Sequence, residues 1–467
     1  MDLTRRNLLA LPLAAAPWPT FAAEAAGDIA DRRELFVDDR MVERMAGVRL
    51  RLHAPREAGV AVRFDQSWEG PLSTYAGIFK DADRYRMYYR GYTGSERSSL
   101  VCYAESDDGA VWRKPNLGLY EWKGSTANNV LFTGLGSHNF AVCPNLRPDA
   151  PLAQRYLAIG RGTADFDVKT LYGFQSADGV RWSLLQDKPI MADGAFDSLN
   201  LAFWDLNAGR YACYYRIFVD GVRRIARAES EDFLHWESVG ETQISGPREQ
   251  LYTNATTPYF RAPHYYFSFP KRFMKTRRRL PDHPEEGVSD GLFLSSRDGI
   301  YFDRTFREAL LRPGLDQRNW GDRGNMFAWG LVETGSREMS AYFTRNYRYS
   351  TNRLERGTFR LDGIASAHAG RPGELLTRAL RFKGDRLTLN YSTSAAGSVR
   401  VEIQQPDGRP VQGFALSDAP ALYGDAIDET YRWKSGASVA AVAGKPVRLR
   451  FALMEADLFS YRFADEA

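Results

Sequence analysis

Polar side chains that could bind or transform a ligand stand in front of five aromatic hairpins of this sequence. Four of them are carboxylates that could transfer protons: Glu69, Asp197, Glu249 and Asp322. The others could bind a polar ligand: Trp68, His138, Asn139, Asn200, Tyr252, Asn254, Trp320 and Arg323. Turn formation alone would explain any single residue, because Asp, Asn and Ser favour bends. Since all five segments carry such groups at the same position, the set predicts one shared pocket.

The elements that must position these groups are hairpins whose second strand ends in a basic residue. These second strands cover residues 85–90, 156–161, 211–216, 265–272 and 339–345. Each follows an apolar strand and a tight turn, which predicts one hairpin per repeat. The arginines at their ends, Arg90, Arg216 and Arg272 among them, should return to the pocket face. There they would either pair with the carboxylates or bind an anionic ligand through planar, bidentate contacts.

A repeated turn, S-x-D-G-x-x-W, gives an independent count of the repeats. It occurs at residues 106–112 and 176–182, with looser copies at 230–236 and 296–302. Intervals of about 50 to 75 residues are typical of propeller blades. In such a turn Asp caps the bend, Gly adopts a positive φ and the aromatic ring packs between neighbouring blades. The sequence therefore predicts an all-β protein with a five-bladed β-propeller.

The two ends of the chain predict an export signal and a second domain. Residues 1–26 contain Arg5 and Arg6 before a modest apolar stretch, which is typical of a twin-arginine signal peptide. We expect the propeller with its lead-in strands to cover residues 27–366. Alternating strands after a Gly/Pro-rich break predict a small β-sandwich over residues 367–467. The protein should then be periplasmic or secreted, with no membrane span.

Composition argues against several classes of function. The formal net charge of +4 is small for 467 residues and does not indicate a nucleic-acid partner. Three cysteines, each in an apolar segment, predict buried free thiols. No metal-ligand cluster and no cofactor motif is found, so no metal and no cofactor is predicted. The oligomeric state is not encoded in any pattern that we can interpret.

With these blades, turns and C-terminal strands, the sequence resembles the five-bladed β-propeller glycoside hydrolases, a group that includes invertases and arabinanases. The resemblance covers most of the chain after residue 26. It carries no catalytic motif, because the W-x-N-D-P-N and R-D-P elements of invertases are absent. It implies a hydrolase of poly- or oligosaccharides. The arginines at the pocket face are compatible with an acidic sugar as the substrate.

The resemblance also implies two carboxylates from different blades, one acting as acid and the other as base or nucleophile. Glu69 and Asp197 each follow an aromatic residue, which could help to desolvate an acid, and they are the first choice. Glu249 and Asp322 are the reserves. The asparagines would bind sugar hydroxyls, and Trp68 or Trp320 would stack on a sugar ring.

Two other functions stay open at this point. One is a carbohydrate-binding propeller without a catalytic pair. The other is a polysaccharide lyase, with His138 or Tyr252 as base and arginine neutralising a uronate. The geometry of the pocket distinguishes these two functions from hydrolysis, because two carboxylates about 5–10 Å apart favour hydrolysis.

Overall fold

The computed structural model describes residues 27–92, 94, 99–162 and 170–465. The export signal predicted at residues 1–26 lies outside this range. The described part is nearly all β, with short 3₁₀ helices at Leu152–Gln154, Gln317–Asn319 and Val439–Val442. None of its helices is long and apolar enough to cross a membrane.

The predicted five-bladed propeller is confirmed, and successive segments of the chain form successive blades. The strands before blade one are β1 (Gly27–Ala30), β2 (Arg33–Leu35), β3 (Val42–Ala46), β4 (Arg49–Leu52) and β5 (Arg56–Arg63). Blade one contains β6 (Thr74–Asp81), β7 (Arg84–Gly91), β8 (Leu100–Ser106) and β9 (Val130–Thr133). Blade two contains β10 (His138–Pro144), β11 (Tyr156–Arg161), β12 (Leu171–Ser176) and β13 (Ser183–Leu184). Blade three contains β14 (Leu201–Asp205), β15 (Arg210–Val219), β16 (Val222–Ser230) and β17 (Glu237–Glu241).

The last two blades depart from this simple order. Blade four contains β18 (Gln243–Ile244), β19 (Thr257–Tyr259), β20 (Ala262–Ser268), the separate hairpin β21 (Lys271–Met274) and β22 (Val288–Gly291), then β23 (Leu294–Ser296) and β24 (Tyr301–Asp303). Blade five contains β25 (Val332–Gly335), β26 (Glu338–Arg345) and β27 (Arg353–Arg360). Its outermost strand is β5, which pairs with β27 through Leu354 opposite Val62. A strand from before blade one therefore closes the ring.

Strands from both ends of the chain form the C-terminal β-sandwich. The C-terminal strands are β28 (Ala365–Ala369), β29 (Gly373–Thr377), β30 (Leu380–Phe382), β31 (Arg386–Gln404), β32 (Asp425–Tyr431) and β33 (Arg448–Ala464). β2 and β4 pair with β33 and β28, and β3 pairs with β29. The expectation that residues 27–52 lead into the propeller is wrong for this reason. Their apolar side chains, such as Phe36 and Val42, are buried in the core of the sandwich.

The repeated turn has the hydrogen bonds that its residues predict. In the first copy Ser106 Oγ accepts from the Gly109 amide at 2.9 Å, and Asp108 Oδ1 accepts from the amides of Ala110 and Val111 at 2.8 Å. The copies that begin at residues 176, 230 and 296 repeat these contacts. The aromatic rings that follow are less buried than we expected, because only the phenylalanine of the fourth copy is fully buried. The turn is thus a local unit that forms wherever the motif occurs.

The turn glycines also hold neighbouring blades together. Gly179 has φ of 76°, and its carbonyl accepts a hydrogen bond of 2.8 Å from Tyr88 of the preceding blade. Tyr342 and Tyr214 donate in the same way to the turn glycines of blades one and four. At the third copy Phe233 replaces the glycine, with φ of 69°. There the matching position of the preceding blade is Ile159, which has no hydroxyl to donate. The glycine and the tyrosine therefore occur together.

Gly179→Ala is expected to destabilise the protein by about 2–4 kcal/mol. Alanine in the left-handed region costs about 1–2 kcal/mol, and its Cβ would lie 2.7 Å from the Tyr88 hydroxyl and disturb that hydrogen bond. Chemical denaturation measures the change. Gly209→Ala is the matched control, because Gly209 has φ of 65° with no atom within 4 Å of its Cβ position. Equal losses in the two variants would contradict the blade-to-blade role.

Candidate active site

The innermost strands begin with an unusual backbone conformation at the predicted pocket. Four blades place a non-glycine residue with positive φ there: Tyr75 at 55°, Asn139 at 60°, Ala255 at 43° and Asn325 at 60°. Asparagine tolerates this region, whereas tyrosine and alanine are strained in it and must be held by their surroundings. Strained residues of this kind cluster at functional sites. The repeated conformation marks this end of the propeller as the candidate site.

A pair of tyrosines forms the floor of the site. The Tyr75 hydroxyl donates to the Tyr252 hydroxyl at 2.9 Å. Tyr75 belongs to blade one and Tyr252 precedes the innermost strand of blade four, so the pair spans the propeller axis between non-adjacent blades. Further along the axis Trp329 packs against Phe203 with ring centroids 6.5 Å apart. Trp329 and Phe203 also line a cavity of about 450 Å³ together with residues of the other innermost strands, so the axis behind the site is only partly filled.

Four cationic side chains surround the ring of Tyr252. Lys271 Nζ lies 4.1 Å from the ring centroid, and the guanidinium carbons of Arg216, Arg223 and Arg323 lie at 5.3, 5.7 and 5.7 Å. Arg90 covers the other tyrosine of the floor at 4.5 Å from its centroid. Cations over aromatic faces are attracted by the ring quadrupole, but they also repel one another. The site is strongly electropositive.

Asp197 is the accessible carboxylate beside this cluster. Its side chain is 44% exposed and accepts a hydrogen bond of 3.1 Å from His138 Nε2, with Arg161 Nη1 at 3.8 Å. Burial alone would raise the pKa of Asp197, but His138, Arg216 and Arg161 hold it well below its usual range. Asp197 is therefore ionised at neutral pH and could act as base or nucleophile.

His138 is held as a neutral imidazole beside Asp197. Burial lowers its pKa, and the charges of Arg90 and Arg161 lower it further, against the opposing effect of Asp197. Its Nδ1 lies 3.0 Å from Ser99 Oγ. With the proton on Nε2, the ring donates to Asp197 and accepts from Ser99. His138 therefore orients the carboxylate.

Asp322 lies on the other side of the cation cluster, but arginine holds it. Arg348 contacts both of its oxygens, with Nε at 2.9 Å and Nη2 at 3.1 Å, and Arg323 Nε lies at 3.4 Å. Burial raises the pKa of Asp322, but Arg348, Lys271 and Arg323 outweigh this and lower it. Asp322 is therefore also ionised. In these contacts it is better suited to positioning the arginines than to donating a proton.

The structure places Glu69 and Trp68 in the outer part of blade one. Glu69 is fully buried, with Lys114 Nζ at 2.7 Å and the Tyr89 hydroxyl at 2.5 Å. Trp68 Nε1 donates to Asn129, which directly precedes the outermost strand of the blade. Across the described ranges, no hydrogen bond or ion pair connects Glu69 with Asp197 or the cation cluster. These contacts favour a structural role for Glu69.

Most of the other predicted binding residues hold the loops of the site in place. Arg272 binds Asp290 and Glu249, and Glu249 also pairs with Arg304. Trp320 Nε1 donates to the carbonyl of Gly314. The asparagines are buried and bonded to backbone groups: Asn139 to Ser198 O, Asn200 to Phe196 O, and Asn254 to the amide of Thr256. The structure thus brings together Asp197, His138, Tyr252, Arg90, Arg216 and Arg323 from the predicted set.

Sequence reasoning missed four members of the site: Tyr75, Arg223, Lys271 and Arg348. Lys271 directly precedes Arg272, which the hairpin pattern selected. Successive side chains of a strand point to opposite faces, so choosing the wrong one of two basic neighbours selects the wrong face. Considering both neighbouring residues at the end of each second strand would have included Lys271. In the described part of the chain, no group of three or more His, Cys, Asp or Glu side chains could hold a metal ion.

Comparisons with known proteins give similar folds at low identity. No family model matches the sequence, and no curated protein matches it. A solved structure described as a glycoside hydrolase has a TM-score of 0.46 and 15% identity, covering 66% of this chain and 92% of that chain. An N-acetylgalactosamine deacetylase from F. plautii, in complex with blood group B trisaccharide, has a TM-score of 0.45 and 15% identity over 68% and 96%. A fructofuranosidase variant from Schwanniomyces occidentalis, complexed with fructosylnystose, has a TM-score of 0.42 and 11% identity over 87% and 97%. At these identities the reaction has to be inferred from the site itself.

Proposed function

We propose that this protein is a glycoside hydrolase that cleaves an acidic poly- or oligosaccharide at the tyrosine-floored end of its propeller. The observation that carries the proposal is Asp197, an accessible ionised carboxylate beside a cluster of cations and tyrosines. Tyrosine faces suit sugar rings, and guanidinium groups suit an anionic substituent. The carboxylate provides the base or nucleophile that glycoside cleavage needs.

The proton donor is the second requirement of this reaction. Glu69, Glu249 and Asp322 are each held in an ion pair with a lysine or an arginine. Pairing Asp197 with Glu69 would require Glu69 to leave Lys114. The hydroxyls of Tyr252 and Tyr75 lie at the site as O–H donors, and burial raises the pKa of Tyr75 well above its usual value. We therefore assign proton donation to Tyr252, with Tyr75 as its hydrogen-bond partner.

A polysaccharide lyase is the second candidate, and the same cation cluster favours it. Elimination next to a uronate needs cations to neutralise the carboxylate, a base to remove the neighbouring proton and an acid for the leaving oxygen. Tyr252 or His138 would be that base. This reaction breaks the glycosidic bond without adding water.

One experiment separates the candidates. The purified protein is incubated with acidic and neutral oligosaccharides in H₂¹⁸O, and the products are weighed by mass spectrometry. Hydrolysis gains one labelled oxygen per cleavage, whereas elimination gives an unlabelled, unsaturated product. Saturable binding without cleavage of any sugar would overturn both enzymatic assignments and support the carbohydrate-binding propeller.

The proposal also places the protein outside the cytoplasm, as the Arg5–Arg6 motif predicts. Replacing both arginines by lysine is expected to retain the protein in the cytoplasmic fraction. Immunoblotting of periplasmic and culture fractions measures this. Unchanged export of the double variant would contradict a twin-arginine route, and a variant of exposed Lys275 is the control.

A further inference from the structure

We propose that Arg216, Arg223, Arg323 and Lys271 form an anion subsite over Tyr252, which binds the carboxylate of a uronate residue and selects acidic over neutral saccharides. The inference rests on the proposed function, because it names the chemical group that the same site recognises. It makes Lys271 and Arg223 specificity-determining residues.

The protein balances the charges of the cluster only in part, with Asp197 near Arg216 and Asp322 near Lys271 and Arg323. In the described ranges Lys271, Arg216 and Arg223 form no ion pair, and Arg323 shares Asp322 with Arg348. Lys271 and Arg216 are nevertheless buried, with exposures of 1% and 7%. Buried charges are costly unless they are paired, so Arg216 lacks an anion that a ligand could supply, and a bound anion would also favour the charged form of Lys271.

Two arginines of the cluster keep N–H donors that have no acceptor among the described residues. Arg216 uses Nε to donate to the carbonyl of Ala195 at 2.9 Å, and its two Nη atoms have no acceptor among the described residues. Arg223 uses Nη1 to donate to Gln250 at 3.2 Å, while its buried Nε has no partner there. Planar guanidinium groups with free N–H donors bind carboxylates bidentately. Arg323 is 34% exposed and gives the anion access to the cluster.

Lys271 lies beneath the subsite and should respond to its occupancy. Its Nζ donates to the carbonyl of Asp322 at 3.0 Å and faces Tyr252 and Phe273. Burial lowers its pKa well below the usual value, and Arg323, Arg223 and Arg216 add to this against the opposing charge of Asp322. A bound carboxylate would raise that pKa, so binding should take up a proton. Affinity for uronate should then fall as the pH rises through the pKa that Lys271 has in the complex.

The test is a binding titration that does not depend on turnover. Calorimetry measures the affinities of sodium glucuronate and sodium galacturonate, with glucose, galactose and sodium sulfate for comparison, in two buffers of different ionisation enthalpy. We expect the uronates to bind more tightly than the neutral sugars, with proton uptake. In Lys271→Met the uronate affinity should fall by about tenfold or more and the proton uptake should disappear, because one buried positive charge is lost.

Lys275→Met is the matched control, because it removes the same charge from an exposed position four residues further along. Its uronate affinity should equal that of the wild type. Methionine has a similar shape and no charge to desolvate, so the melting temperature of Lys271→Met should not fall. If that variant fails to fold, Arg323→Gln gives the same test, since Arg348 still holds Asp322.

The outcomes separate this inference from the proposed hydrolase activity. Uronate binding that depends on Lys271, without cleavage of any oligosaccharide, supports the subsite and overturns the hydrolase. Cleavage of oligosaccharides together with a uronate affinity that is unchanged in Lys271→Met supports the hydrolase and overturns the subsite. Tighter binding of sulfate than of either uronate would overturn the carboxylate assignment.

Discussion

Asp197→Asn is expected to lower the turnover number on the best acidic oligosaccharide by about 10²–10⁴-fold, with the protein still folded. The amide keeps the shape of the side chain and its contact with His138, but it can neither accept a proton nor attack a sugar carbon. Because the side chain is 44% exposed, water can replace part of the charge that the substitution removes. Steady-state kinetics measure the turnover number, and circular dichroism confirms folding.

Glu69→Gln is the informative control for this variant, because Glu69 and Asp197 were both predicted as the catalytic pair. The contacts of Glu69 favour loss of stability with little change in turnover, since the amide would leave Lys114 without its closest carboxylate. Wild-type turnover in Asp197→Asn would refute the assignment of Asp197. A loss in Glu69→Gln as large as that in Asp197→Asn would restore Glu69 to the catalytic pair.

The pH profile gives an independent check on Asp197. Its pKa is depressed in the folded protein, so the carboxylate stays ionised down to a pH below the usual Asp value of about 3.9. Activity should therefore not decline on account of Asp197 between neutral pH and about pH 4. An acid limb centred near the ordinary pKa of histidine would instead assign the base to His138.

The propeller could be predicted because its signal is local. Each S-x-D-G-x-x-W turn forms its hydrogen bonds within a few residues, so the motif indicates a blade wherever it occurs. The strand pairings of residues 27–52 could not be predicted in this way. Short alternating strands have no local contact that distinguishes an edge of the propeller from an edge of the sandwich. Their partner strands, β28, β29, β30 and β33, lie near the other end of the chain, and only pairing with these strands decides between the two edges.

As with the fold, only part of the candidate site could be predicted from the sequence. Position before an innermost strand selected both Asp197 and His138, which contact each other, because that position is set by the hairpin itself. It could not show which way each side chain turns. Glu69 turns outward to Lys114, and Tyr75 reaches Tyr252 across the axis because its backbone is left-handed. Both orientations depend on contacts between segments far apart in the sequence.

Long-range contacts from three parts of the chain converge on Asp362. Its carboxylate is completely buried between the propeller and the sandwich. It accepts from the Tyr259 hydroxyl at 2.6 Å and the Ser460 hydroxyl at 2.7 Å, with Arg261 at 3.0 Å and Arg33 at 3.3 Å. Burial raises its pKa, but the two arginines and the hydroxyls prevail and lower it. One charge therefore ties blade four, an N-terminal strand and the last strand of the sandwich together.

Asp362→Asn is expected to reduce the free energy of unfolding by about 3–5 kcal/mol, because two largely buried arginines lose their shared counter-ion. Asparagine tolerates the φ of 61° at this position, so backbone strain does not add to the loss. Urea denaturation at pH 7 measures it. Because the folded-state pKa is depressed, the contribution of the carboxylate is present above the unfolded pKa of about 3.9 and is lost as the pH falls through the folded value. The difference between wild type and variant should therefore shrink in acid.

Asp428→Asn is the matched control for this prediction. Asp428 contacts the same two arginines, Arg33 at 2.6 Å and Arg261 at 2.8 Å, but its side chain is 41% exposed. Exposed ion pairs contribute about 0–1 kcal/mol, since water screens them and replaces the lost partner. A small loss in Asp428→Asn beside a large one in Asp362→Asn would show that burial, and not the number of ion pairs, holds the two domains together. Equal losses would refute that view, because the exposed carboxylate would then stabilise the junction as strongly as the buried one.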